Sequence, residues 1–77
     1  MNVVTEILDL RENPCPGNWP KILISLETLD RGDVLEVILD DIVALDRIPE
    51  MLKEETDYKL IDSQVVNANI HLFIKVF

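Results

Sequence analysis

Several residue types that mark particular classes of protein are scarce in this chain. It has one cysteine and one histidine among 77 residues. A single cysteine excludes an internal disulfide framework and suits a reducing cytoplasm. One histidine without neighbouring cysteines gives no metal-ligand spacing, so we expect neither a metal nor a cofactor. His71 is expected to be exposed or half-buried on a strand rather than to act as a ligand.

Basic residues and long apolar runs are also scarce. Seven lysines and arginines stand against fifteen acidic residues, for a net charge of −8. Nucleic-acid phosphates repel such a surface and no basic stripe offsets it, so direct binding to nucleic acid is not expected. No apolar run is long enough to cross a bilayer, and no secretion signal is evident. We therefore expect a cytoplasmic protein whose acidic residues either keep it in solution or steer it toward basic proteins.

Apolar residues make up 48% of the chain, which favours a folded protein, and the length allows one small domain over residues 1–77. Hydrophobic periodicity predicts strands over residues 3–10, 34–39, 58–65 and 69–76, and helices over residues 19–29 and after Asp40-Asp41. The short connection before the last strand predicts an antiparallel hairpin. The order βαβαββ predicts an α+β two-layer sandwich, with two helices on one face of a four-stranded mixed sheet.

The segment Pro14-Cys15-Pro16-Gly17-Asn18-Trp19-Pro20 joins the first strand to the first helix. Its prolines stiffen the chain, so Cys15 is expected to be extended just before the helix. Asn18 is predicted to cap the helix with its side chain. A thiol beside a helix N-terminus experiences the positive end of the helix dipole, which favours the thiolate. A small buried hydrophobe is the alternative for Cys15, but the surrounding turn-forming residues argue against a core position.

Three neighbouring features have two interpretations each. Asp9 and Arg11 either form an ion pair that braces the segment or are separately solvated, and the charge of Arg11 could also favour the Cys15 thiolate. Trp19 is either a packing anchor of the first helix or a docking residue. The pair Asp40-Asp41 is most simply a turn, either member of which could cap the second helix.

Spaced motifs in the chain resemble those of the TusA/SirA/YedF family of small sulfur carriers. The matching elements are Leu8-Asp9-Leu10-Arg11 before Cys15-Pro16, the Gly32-Asp33 turn, and Asp40-Asp41 followed by Ile48-Pro49. The sequence departs from the family pattern at Asn18, where a second proline is usual, at Glu12, where glycine is usual, and at Asp46, where arginine is frequent.

The resemblance implies a function and a set of partners. Cys15, with Pro16 beside it, would carry a persulfide received from a cysteine desulfurase. It would pass the sulfur to a downstream acceptor protein, in tRNA thiolation or another route of sulfur trafficking. Two alternatives remain: a non-catalytic interaction or regulatory module on the same fold, and a carrier of selenium.

Overall fold

A computed structural model describes residues 3–12 and 17–77 of the chain. Its elements are β1 (Glu6–Asp9), α1 (Trp19–Glu27), β2 (Val34–Leu39), α2 (Val43–Leu52), β3 (Tyr58–Val66) and β4 (Asn69–Val76). The strands form a four-stranded mixed sheet in the order β1-β2-β4-β3. The predicted α+β class and βαβαββ order are therefore confirmed.

The direction of the strands brings three connections together. β1 and β2 are parallel, and β4 is antiparallel to both β2 and β3. β1, β2 and β3 consequently run in one direction and end at the same edge of the sheet. We call this edge, formed by residues 9–12, 40–43 and 65–68, the carboxyl edge. The predicted functional segment leaves the sheet here.

The two central strands determine which face of the sheet is buried. Three cross-strand pairs are almost fully enclosed: Leu35 with Ile74, Val37 with Leu72, and Leu39 with Ile70. Both helices cover this face and contribute to the same core, with Ile22 and Leu26 from α1 and Ala44, Ile48 and Leu52 from α2. The buried stripes predicted for both helices are confirmed.

The other face of the sheet carries an ion pair between its central strands. His71 Nδ1 lies 2.9 Å from Glu36 Oε2, and both side chains are mostly enclosed. His71 is half-buried on a strand, as expected. In the part of the chain that the structure describes, no helix is both long enough and apolar enough to span a membrane.

β3 lies at an edge of the sheet and is irregular. Its register with β4 shifts between Leu60 and Asp62, which leaves Ile61 as an extra residue. At its end the two turn residues have positive φ, 51° at Asn67 and 68° at Ala68. A turn of this kind matches the twist of paired strands, and the predicted antiparallel hairpin is confirmed.

Two elements are shorter than predicted because of their surroundings. Thr5 donates its backbone N–H to Val34 O at 2.8 Å, and Val34 is the first residue of β2. Residues 3 and 4 therefore extend past the start of the neighbouring strand. α1 ends at Glu27, because the Thr28 hydroxyl donates to Ser25 O at 2.7 Å and closes the last turn.

Leu26→Ala is expected to lower the free energy of unfolding by about 2–5 kcal/mol. The Leu26 side chain is 1% exposed, so its truncation leaves a cavity beneath the sheet. The matched control is Ile24→Ala on the same helix, where the side chain is 64% exposed and the expected change is within about 0.5 kcal/mol. Urea denaturation measures both, and equal losses would show that the helix face is assigned wrongly.

Candidate functional site

The structure describes three of the five predicted site residues: Asp9, Arg11 and Asn18. Cys15 and Pro16 lie outside the described residues. Chain connectivity still limits the position of Cys15, since three peptide units separate it from Glu12 and restrict the distance between their Cα atoms to about 11 Å. The described residues on both sides of the segment therefore define the surroundings of the predicted site.

Asp9 and Arg11 form a bidentate ion pair at the end of β1. The Arg11 Nη2 donates to Asp9 Oδ2 at 2.7 Å and its Nε donates to Oδ1 at 3.0 Å. The Arg11 backbone N–H also donates to Oδ1, at 3.1 Å. These hydrogen bonds from Arg11 lower the pKa of Asp9 from its ordinary value of 3.8 to about 2. Of the two interpretations given above, the ion pair is confirmed.

A second contact ties the segment to the neighbouring strand. Asp40, just after β2, accepts the backbone N–H of Glu12 at 3.0 Å through Oδ2. Glu12 has a φ of 74°, a left-handed conformation that costs energy for a residue with a side chain. The Asp40 carboxylate thus holds the chain in a strained turn three residues before Cys15. The sequence interpretation missed this role of Asp40, because the two residues are 28 positions apart.

These residues enclose a shallow, polar depression of about 460 Å³, lined by Asp9, Arg11, Glu12 and Asp40. It brings together three carboxylates and one guanidinium. Asp9 already offsets much of the Arg11 charge through the bidentate pair. The arrangement therefore gives little support to the hypothesis that Arg11 favours a thiolate at Cys15.

The predicted role of Asn18 as a side-chain cap is wrong. Asn18 precedes α1, but its side chain makes no capping hydrogen bond and is fully buried. Its backbone is already helical, with φ −78° and ψ −22°, and its carbonyl accepts the Ile22 N–H at 3.2 Å. A capping residue normally has an extended backbone that aims its side chain at the first amides. Tertiary burial has displaced the capping role here.

The other predicted helix contacts have clearer outcomes. Asp41 Oδ1 accepts the Val43 N–H at 3.0 Å at the start of α2, so Asp41 is the aspartate that caps this helix. Trp19 is partly buried and packs against the core, as a packing anchor should. Among residues 3–12 and 17–77 no cluster of side chains could hold a metal ion.

Residues 6–76 match the family model described as Sulfurtransferase TusA. The chain belongs to the TusA family. TusA proteins transfer sulfur and act together with other sulfur-transfer proteins. No curated protein matches the chain significantly.

Backbone geometry accounts for two departures from the TusA pattern. Glu12 stands where the family usually has glycine, and its φ of 74° is one that glycine adopts without steric cost. Asn18 stands where the family usually has proline, and its φ of −78° lies within the range of proline. The chain thus keeps the family backbone at both positions with different side chains.

Arg11→Gln is expected to return the Asp9 pKa toward 3.8, because the guanidinium hydrogen bonds are lost. In the unaltered protein the stabilisation from this pair is fully present above pH 3.8 and is lost as the pH falls through about 2. The stability difference between the two proteins should therefore shrink over that interval. Carbon-detected NMR titration of the Asp9 carboxyl group measures the shift.

The control for this titration is Lys53→Gln, which removes an exposed ion pair with Glu50 on α2. It should leave the Asp9 pKa unchanged. An Asp9 carboxyl group that titrates near 3.8 in the unaltered protein would contradict the bidentate pair.

Glu12→Gly is expected to raise the free energy of unfolding by about 1 kcal/mol, because glycine relieves the left-handed strain. Glu12→Ala removes the same carboxylate but keeps a Cβ atom, so it should give no comparable gain. Urea denaturation of the three proteins measures the difference. An equal gain in both variants would show that charge removal, rather than backbone strain, is responsible.

Proposed function

We propose that this TusA-family chain is a cytoplasmic sulfur carrier whose Cys15 receives a persulfide sulfur from a cysteine desulfurase and relays it to an acceptor protein. In the loading step the Cys15 thiolate attacks the terminal sulfur of the donor persulfide. A new sulfur–sulfur bond forms at Cys15, and the donor bond breaks with its electron pair leaving on the donor thiolate. The relay step repeats this exchange toward an acceptor, with no net oxidation and no cofactor.

The family match over residues 6–76 is the observation that carries the proposal. Two features of the chain support it. Cys15 is the only cysteine, so no second thiol in the chain can attack the persulfide and release the sulfur early. It also follows β1 closely, so it belongs to the carboxyl edge, where three connections of the sheet converge.

The shape of the neighbouring surface favours a substrate presented by another protein. The depression lined by residues 9, 11, 12 and 40 is shallow and polar. Sites for small molecules are typically concave, largely apolar and able to enclose most of the ligand. A sulfur atom carried on a partner's side chain requires only that the two surfaces meet.

A non-catalytic interaction module is the second candidate, and the acidic surroundings favour it. Carboxylates near a thiol disfavour the thiolate, while the nearby guanidinium is paired with Asp9. Alkylation of Cys15 at neutral pH separates the two candidates. A rate above that of a model thiol supports the carrier, and a rate below it supports the interaction module.

Incubation with a cysteine desulfurase and free cysteine is expected to add the mass of one sulfur atom to the intact protein. The added mass should disappear on treatment with a thiol reductant and should not form in Cys15→Ser. Intact-mass spectrometry measures all three states. Reductant-sensitive sulfur on Cys15→Ser would refute Cys15 as the carrier residue. Parallel loading with selenium in place of sulfur would test the selenium carrier, which differs only in the atom carried.

A further inference from the structure

Exposed apolar side chains are concentrated at the carboxyl edge. Eight large apolar residues are exposed among those described, and four of them belong to this edge: Ile42 (65%), Val43 (47%), Val65 (55%) and Val66 (49%). Single exposed apolar residues are normal on protein surfaces, whereas a group of them marks an interaction site. We call these four residues the apolar patch.

The sheet register places the two halves of the patch near each other. Leu39 pairs with Ile70, and Ile70 pairs with Val65 on its other side. Two strand spacings therefore separate Val65 from the end of β2, a distance of about 10 Å. Ile42 follows that strand end by three residues. The start of α2 and the end of β3 thus present their apolar side chains at one place.

The charged residues beside the patch are mostly acidic. The described residues of the carboxyl edge include four carboxylates, Asp9, Glu12, Asp40 and Asp41, and one guanidinium, Arg11, for a net charge of −3. The chain as a whole has a net charge of −8. A surface that pairs with this edge therefore has basic residues around an apolar centre.

The patch is also continuous with the predicted thiol site. Asp40 contacts the segment through the Glu12 N–H at 3.0 Å and precedes Ile42 by two residues. Cys15 can lie no farther than about 11 Å from Glu12. A protein seated on the patch would therefore reach the thiol without a change in the fold.

We propose that the apolar patch is a docking surface for the desulfurase that loads Cys15, and that it binds an apolar surface of that enzyme rimmed by lysine or arginine. This inference rests on the proposed carrier function. Apolar contact holds the two proteins together, while the acidic residues increase the rate of encounter.

The test uses the full chain with Ile42, Val65 and Val66 all replaced by threonine. Threonine keeps the branched Cβ that suits the two strand positions and removes apolar surface. The matched control carries Val3→Thr and Ile24→Thr, which remove exposed apolar surface away from the carboxyl edge. A purified cysteine desulfurase with free cysteine serves as the probe.

Three measurements are made on each protein: the initial rate of persulfide loading at low carrier concentration, the rate of Cys15 alkylation by iodoacetamide, and the urea midpoint. Loading of the triple variant is expected to fall by roughly tenfold, with alkylation and the midpoint unchanged. The control should load at the rate of the unaltered chain. Added salt should slow loading of the unaltered chain, because the encounter is electrostatic.

Undiminished loading of the triple variant would overturn the docking surface and leave the carrier function intact. An equal loss in the control, or slower alkylation in the triple variant, would also overturn it. If the unaltered chain takes up no sulfur while Cys15 alkylates readily, the carrier function itself is refuted and the docking inference with it.

Discussion

Burial of one face of the β2–β4 strand pair is the constraint on which the rest of the structure depends. Because side chains alternate along a strand, enclosing Leu35, Val37 and Leu39 commits the matching residues of β4 to the same face. Both helices must then lie on that face to keep it from water. With this direction of packing fixed, the connections after β1, β2 and β3 can only meet at one edge. The candidate site is a consequence of how the core is closed.

The contacts at that edge act mainly on geometry. The Asp9–Arg11 pair is about half exposed to solvent, and pairs of this kind add little stability. What the pair does is hold the chain as it leaves β1, while Asp40 secures Glu12 from the adjacent strand. A carrier that must present one sulfur atom to two different proteins needs a defined exit from the sheet more than it needs an enclosed pocket. The shallow depression is consistent with this requirement.

The sequence predicts the central fold well and the site only in part. The bounds of β2 and β4 agree with prediction, because an apolar run and a strict alternation leave no other way to bury those residues. Asn18 was misread, because a local pattern cannot show that tertiary packing will enclose a polar side chain at a helix start. The Asp40–Glu12 hydrogen bond was missed for a related reason, since it joins loops that only the parallel pairing of β1 and β2 brings together.

The extra residue at Ile61 has a consequence for how the protein behaves at high concentration. β3 is a nine-residue edge strand, and its outer backbone groups are a template on which another chain could add a strand. A bulge breaks the regular spacing of those groups and increases the local twist. The exposed charges of Lys59 and Asp62 flank the break on either side. The irregularity therefore protects a small acidic protein from growing into sheets through its own edge, while its loops stay available for brief encounters.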